Sequence, residues 1–323
     1  MQSSKKIGLI LKVTIVCLAF WFLYQKVFSN ESYLEIKHQF LSILDADSFW
    51  QFSIVIALMF LNWSIDAIKW RFLINKLEKV SFWLALKAVF LGITVSIFTP
   101  NRIGEFGGRV FCLQRADRIK AVLLTVLGNL TQLITTIIFG LLALMYFVYH
   151  YSLPYLSHLE WGFFVVLVMG FFISILLLYL LFNVSYISKW FVRIKRLKKF
   201  HHYSTIFSVY SRRELLMVLA LSIMRYLVYS FQFYLLIRFV QIDIGILESF
   251  CMSALTFLSM SIIPTIALTE IGVRGSVALY FFGYLSDNLI GIMTAAFSLW
   301  VINLVVPTII GIFFVYQLKF FRS

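Results

Sequence analysis

Residues 100–109 read PNRIGEFGGR and residues 264–274 read PTIALTEIGVR, and these two stretches interrupt the apolar segments that make up most of the chain. Each stretch begins with a proline, which ends the helix before it because proline lacks a backbone N–H and clashes with the preceding turn. Each then contains Glu-x-Gly-x-Arg, which places a glutamate and an arginine on one face of the next helix at positions i and i+4. The two stretches therefore predict two helical hairpins, each with an acidic and a basic side chain near its tip.

The composition of the chain is that of a membrane protein. Of the 323 residues, 62% are hydrophobic and 13% are charged, whereas soluble domains are about 45–50% apolar and about 25% charged. This excludes a soluble protein, a disordered chain and a nucleic-acid-binding protein. An apolar helix of about 20 residues is long enough to cross a bilayer. We predict an all-α polytopic membrane protein with about eight transmembrane helices, near residues 7–28, 49–70, 81–99, 120–149, 160–184, 213–240, 246–263 and 288–316.

The basic residues, which give the chain a net charge of +14, predict its orientation. With both termini in the cytoplasm, 21 of the 28 Lys and Arg residues lie on the inner side, in agreement with the positive-inside rule. This count requires residues 81–118 to form a re-entrant hairpin that enters from the cytoplasm and returns to it. The same reasoning makes residues 246–284 a hairpin that enters from outside. We therefore predict a multi-pass protein of the cell (cytoplasmic) membrane with two re-entrant helical hairpins.

The two hairpins indicate an inverted repeat within a single transmembrane domain of residues 1–323. The halves are approximately 49–149 and 213–316, and residues 160–184 connect them. In transporters of this architecture, broken helices meet near the membrane midplane and the substrate binds at the repeat interface. Helix N-termini there, capped by Asn101 or Thr269, would bind phosphate, and ionisable residues inside a membrane are functional by default. The candidate substrate-binding residues are Arg102, Glu105, Arg109, Glu270, Arg274 and Arg225.

A structural interpretation of these charged residues stays open. Each glutamate–arginine pair would then hold its hairpin in place as a buried ion pair, and Arg225 would pair with a neighbouring helix. An Asp66–Lys69 pair needs no function, since both side chains lie toward the inner end of their helix. The three cysteines are scattered, and no ligand spacing predicts a metal site. We expect hydrogen bonds between helices from Asn129, Thr131 and Gln132.

The residues of the two stretches resemble a known family. Pro-x-Arg-x-Gly-Glu followed by Arg109 in the first stretch, with Gly-Val-Arg in the second, is similar to the flippase-like transmembrane domain associated with lysylphosphatidylglycerol synthases. The resemblance covers nearly the whole chain and is most specific in residues 102–109 and 270–276. It implies a polytopic protein that handles lipids, and its best-understood members move an anionic or aminoacylated phospholipid between leaflets. Carried over by motif, the site residues are Arg102, Glu105, Arg109 and Arg274.

These observations predict an integral membrane lipid flippase or transporter that moves an anionic phospholipid or a lipid-linked intermediate between leaflets. Its expected partners are membrane lipids with anionic headgroups, and we expect no nucleic acid, metal or cofactor. The alternatives are a membrane-embedded enzyme with Glu105 and Glu270 as acid and base, or an accessory subunit of a separately encoded lipid-modifying enzyme. We expect no enzymatic activity, because no soluble aminoacyl-transfer domain follows the last helix before Ser323.

Overall fold

A computed structural model describes residues 49–97, 99, 102–152, 160–183, 205–263 and 267–315. The span predicted at 7–28 and most of the basic run that begins at Lys189 lie outside these residues. The described chain is helical throughout and contains no strand. Its α-helices are α1 (Phe49–Ile74), α2 (Phe82–Ser96), α3 (Gly104–Val110), α4 (Arg118–Phe147), α5 (Glu160–Phe182), α6 (Arg212–Phe239), α7 (Ile246–Ile262), α8 (Ala267–Phe282), α9 (Leu289–Trp300) and α10 (Val306–Val315).

Four helical stretches in the described residues are long and apolar enough to cross a membrane: Trp50–Ile74, Arg118–Tyr151, Arg212–Phe239 and Leu289–Val315. The last of these runs through α9 and α10, which a π-helical segment at Val301–Val305 joins into one helix. The described part of the chain is therefore all-helical and has helices fit to cross a membrane, as the composition predicts. The count of eight spans stays a prediction: the span at 7–28 lies outside the described residues, and α2 and α7 have 15 and 17 residues, whereas a crossing needs about 20.

Helices α2 and α3 form a hairpin whose two backbones touch through glycines. A Cβ atom added to Gly108 would lie 2.7 Å from the Cα of Gly92, and one added to Gly104 would lie 2.6 Å from the carbonyl oxygen of Val95. Because residue 108 faces residue 92 while residue 104 faces residue 95, the two helices run antiparallel. Small residues let helices in a membrane approach this closely, so the glycines of the first stretch determine the shape of the hairpin.

Replacing Gly108 with alanine is expected to destabilise the protein, because the new methyl group would meet backbone atoms that cannot move aside. Overpacking of this kind costs about 1–3 kcal/mol. Gly107→Ala is the matched control, since a Cβ there would have its nearest neighbour, a ring carbon of Phe111, at 3.6 Å. We expect a lower thermal unfolding midpoint in detergent for Gly108→Ala and an unchanged or higher midpoint for Gly107→Ala. Equal midpoints for both variants would contradict the close contact.

The two ends of each hairpin lie close together. In the α1–α2 connection, the Glu78 carboxylate accepts hydrogen bonds of 2.7–3.3 Å from the backbone N–H groups of residues 114–116, which follow α3. Partial burial raises the pKa of Glu78, but these donors outweigh burial and hold the pKa below its ordinary value. The second hairpin, α7–α8, is closed in a similar way, since the Asn288 side chain donates to the carbonyl of Val240 at 3.3 Å.

Each hairpin packs against a helix from the other predicted half of the chain, the halves being approximately 49–149 and 213–316. Helix α2 packs against α10, whereas α7 packs against α4, and α1 packs against α6 at the centre. Each hairpin therefore contacts the last long helix of the other part. Trp70, Phe233, Phe282 and Trp300 are buried in the shared core, so the helices of the hairpins and the long helices pack around one core.

Candidate functional site

A cavity of about 610 Å³ lies where the two hairpin tips meet the long helices. Asn62, Arg225 and Asn303 line it, and each of them lies near the middle of its helix. The cavity is therefore at the level of the helix midpoints rather than at either end of the bundle. The polar side chains on its wall are Asn62, Ser96, Arg102, Glu105, Asn129, Gln132, Thr136, Arg225, Tyr226, Tyr229, Ser261, Glu270, Arg274 and Asn303.

One group of charged side chains, here called the Asp66 cluster, joins α1, α3 and α6. Asp66 is completely buried, and its carboxylate is 3.2 Å from Lys69 Nζ, 2.5 Å from an Arg109 nitrogen and 3.0 Å from an Arg225 nitrogen. Arg109 also pairs with Glu105, one turn earlier on α3. The Asp66 cluster thus contains three basic and two acidic side chains and carries a surplus of one positive charge.

Arg225 is held at the edge of the cavity by contacts from α1. Its Nε donates to Asn62 Oδ1 at 3.3 Å, and its guanidinium lies 4.7 Å from the centre of the Trp63 ring. Contacts of a guanidinium with an aromatic face are favourable electrostatically. Part of the Arg225 side chain stays accessible, at 18% exposure, so this arginine has donors that can reach a molecule in the cavity.

The π-helical segment between α9 and α10 brings an amide to the same wall. Asn303 lies within this segment, and its Nδ2 donates to Gln232 Oε1 at 2.8 Å while its Oδ1 accepts from Asn62 at 3.4 Å. Short π-helical insertions are frequent at functional sites because they shift a side chain out of the regular helical register. Here the insertion coincides with the residue that connects α1, α6 and the last long helix.

A second group, the Glu270 cluster, joins the two hairpins. Glu270 Oε1 accepts hydrogen bonds from Arg102 at 2.7 Å and from Arg274 at 2.8 Å. Arg274 also donates to the hydroxyl of Tyr229 on α6 at 3.1 Å. The Glu270 cluster has two arginines and one glutamate, so it also carries a surplus of one positive charge. Because Arg102 belongs to the first hairpin and Glu270 to the second, their ion pair connects the two tips.

The backbone of Arg102 adopts an unusual conformation, with φ of 57°. A non-glycine residue in this left-handed region costs of order 1–3 kcal/mol and persists when its surroundings require it. Thr99 supports the turn on both sides, since its carbonyl accepts from the Arg102 N–H and its hydroxyl accepts from the Gly104 N–H. The turn directs the Arg102 side chain to Glu270, which is consistent with a functional position.

Comparison with known proteins gives the family. The sequence matches the family described as Lysylphosphatidylglycerol synthase TM region over residues 9–311. The chain belongs to this family. The match confirms the family that the sequence resembles, and it makes the chain a membrane domain of a family linked to lipid modification or flipping. No curated protein sequence matches the chain.

The structure brings most of the candidate residues together. Arg102, Glu105, Arg225, Glu270 and Arg274 line the same cavity. Arg109 is placed differently from the prediction: it is buried behind the cavity wall, where Asp66 and Glu105 bind its guanidinium. A direct contact between Arg109 and a molecule in the cavity is therefore not supported, and the residue instead holds Glu105 in place.

Asp66 is the residue whose importance the sequence did not reveal. The expected Asp66–Lys69 pair forms, but Asp66 also binds two arginines from other helices. The spacing of Asn62, Asp66 and Lys69 could have indicated a buried polar site, because it places three polar side chains on one face of an apolar helix. Lys69 also donates to Ser222 at 3.3 Å, and Ser222 shares a 2.8 Å hydrogen bond with Thr131.

The expectation that helix N-termini bind an anion stays a prediction. Glu105 and Glu270 lie in the first turns of α3 and α8, where the helix dipole favours an acidic side chain. The arginines on the cavity wall also provide positive charge there. The caps predicted at Asn101 and Thr269 involve side chains outside the described part of the structure. Within the described residues, no group of His, Cys, Asp and Glu is arranged to hold a metal ion.

Proposed function

We propose that the chain is a lipid transporter that moves an anionic phospholipid or an anionic lipid-linked intermediate between membrane leaflets. The observation that carries this proposal is the surplus positive charge beside a cavity at the level of the helix midpoints. Both the Asp66 cluster and the Glu270 cluster contain one more basic than acidic side chain. Unmatched charge in a low-dielectric environment is expensive, so an anion in the cavity would stabilise it.

An inverted repeat is consistent with the packing of the hairpins. Each hairpin closes on its own side and packs against the last long helix of the other part. Hairpins that enter from opposite faces and meet at the midplane are the arrangement in which transporters bind substrate between repeats. In the proposed topology both termini are cytoplasmic, and the hairpin of α2 and α3 is re-entrant from the cytoplasm.

The arginines of the cavity are suited to a phosphate group. A guanidinium presents parallel N–H donors that match two phosphate oxygens, and Arg102, Arg225 and Arg274 all reach the cavity wall. A bound phosphate would compete with Glu270 for Arg102 and so weaken the ion pair between the hairpins. Binding of the phosphate and movement of the hairpin tips would be coupled in this way. Glu105 and Glu270 hold the arginines in position.

We propose transport rather than chemistry because neither glutamate of the cavity is placed as an acid or a base. Glu105 is bound by Arg109, and Glu270 is bound by two arginines. A carboxylate that is engaged by arginines in this manner is placed to hold those arginines in position rather than to act on a substrate.

Reconstitution into liposomes tests the proposal. The assay compares three lipids, each labelled with a fluorophore on an acyl chain: phosphatidylglycerol, phosphatidic acid and phosphatidylcholine. For each lipid, the fraction of fluorophore that dithionite can bleach is followed with time. We expect faster exposure of the two anionic lipids and little change for phosphatidylcholine. Equal rates for all three lipids, or none above protein-free liposomes, would contradict the proposal. Mass spectrometry of the same lipids separates transport from enzymatic modification, since transport leaves their masses unchanged.

A further inference from the structure

One face of α4 is apolar and exposed along half of its length. Ile119, Val126 and Leu133 are 44%, 41% and 39% exposed. Residues seven positions apart lie two helical turns apart on the same face, so the three side chains form a continuous stripe. This stripe, called the α4 stripe below, begins one residue after the start of α4 and ends at the cavity, since Leu133 is also on the cavity wall.

Farther along, the second hairpin covers the same face. Gly140 is the next residue in the seven-residue series, and a Cβ added there would lie 2.6 Å from the Cβ of Leu258 on α7. Helix α7 ends four residues later, at Ile262, which also lines the cavity. The tip of the second hairpin therefore marks the boundary between the covered and the exposed halves of this face of α4.

The mouth of the cavity at this boundary carries exposed apolar side chains beside Ser261, whereas its interior is charged. Leu133, Ile262 and Ile263 all line the cavity and are exposed at the protein surface, Ile262 at 72%. Deeper on the wall, Glu270 and Arg274 are buried. A molecule that satisfies both regions has an anionic group at one end and a hydrocarbon group at the other, which is the chemistry of a lipid.

We propose that the α4 stripe is a lateral portal that binds the hydrocarbon chain of a lipid while its headgroup occupies the cavity. The inference rests on the proposed function and adds the path of the hydrocarbon chain and the leaflet that it faces. From Ile119 to Leu133 the helix rises by about 21 Å, which is longer than the roughly 15 Å that one leaflet contributes to a hydrocarbon core about 30 Å thick. Because α4 starts beside the cytoplasmic ends of the first hairpin in the predicted topology, this portal opens to the inner leaflet.

Photo-cross-linking locates the hydrocarbon chain. The full chain is reconstituted with phosphatidylglycerol that carries a diazirine near the end of one acyl chain, irradiated and mapped by peptide mass spectrometry. We expect at least about three-fold more adducts around Val126 and Leu133 than around Leu142, which is also on α4 and is 58% exposed but is not part of the cavity wall. Leu133→Trp and Val126→Trp are expected to reduce both adducts and lipid translocation at least about ten-fold, and Leu142→Trp to leave both unchanged.

The possible outcomes separate this inference from the proposed function. Adducts concentrated at the α4 stripe without any translocation would support the portal and contradict transport. Translocation with adducts spread equally over the stripe and Leu142 would support transport and overturn the portal. Size-exclusion chromatography verifies the folding of each tryptophan variant. If Leu133→Trp does not fold, the test uses Val126→Trp, which is farther from the cavity.

Discussion

Replacing Asp66 with asparagine is expected to cause the largest loss of folding stability of any single change in the charged network. The substitution leaves Lys69, Arg109 and Arg225 with Glu105 as their remaining acidic partner in the Asp66 cluster. Removing one member of a buried ion pair costs about 3–5 kcal/mol, because the partner charges stay buried without compensation. Stabilities of folded proteins are about 5–15 kcal/mol, so a large share of Asp66→Asn protein should be lost before purification.

The measurement is the yield of monodisperse protein and its thermal unfolding midpoint in detergent. Asp243→Asn is the matched control, since Asp243 also pairs with an arginine, Arg238, but does so on the surface. Exposed ion pairs contribute about 0–1 kcal/mol, so this variant should resemble the wild type. Similar midpoints for Asp66→Asn and Asp243→Asn would show that the Asp66 cluster does not hold α1, α3 and α6 together.

Replacing Arg274 with glutamine is expected to abolish most transport while the protein still folds. Glu270 keeps Arg102 as its partner, so no carboxylate is left unpaired, but the Glu270 cluster loses its surplus positive charge. A hydrogen bond to a charged group contributes about 1.5–3 kcal/mol, and about 1.4 kcal/mol corresponds to a factor of ten. We therefore expect a fall of about 10- to 100-fold in the initial rate of anionic lipid translocation, measured in liposomes at equal protein density.

A double variant distinguishes substrate binding from a structural ion pair. Neutral replacement of both members of a buried pair is often tolerated even when loss of one member is not. If Arg274 serves only to pair with Glu270, Arg274→Gln combined with Glu270→Gln restores transport. If Arg274 binds the substrate, the double variant folds and remains inactive. Restored transport would contradict the assignment of Arg274 to the site.

The hairpins could be predicted from the sequence because local physics determines them. A proline ends the apolar helix, and glycines allow the return helix to approach. The basic residues near Arg109 predict that the first hairpin does not cross the membrane fully. These signals act over a few residues and do not depend on the rest of the fold. The predicted boundaries of the first arm of each hairpin agree closely with the structure. The span predicted at 81–99 corresponds to Phe82–Ser96, and the one predicted at 246–263 corresponds to Ile246–Ile262.

The partners of the charged side chains could not be predicted, because they depend on how distant helices pack. The glutamate–arginine pairs within α3 and α8 follow from their spacing, and both form. By contrast, Asp66 and Arg109 are 43 positions apart, and nothing in either local sequence indicates their contact. The same holds for the π-helical segment around Asn303, since an inserted residue changes the face that a side chain occupies without leaving a pattern in composition.

We propose that the arginines of the cavity bind an anionic lipid headgroup. Quantitative mass spectrometry of the lipids that co-purify with the protein tests this binding. Wild-type protein is compared with Arg274→Gln and with Arg238→Gln, whose arginine lies on the surface beside Asp243. We predict that the wild type and Arg238→Gln retain an anionic lipid in about equal amount, and that Arg274→Gln loses it at least about ten-fold. Equal retention of that lipid by all three proteins, or enrichment of a zwitterionic lipid in the wild type, would contradict the claim.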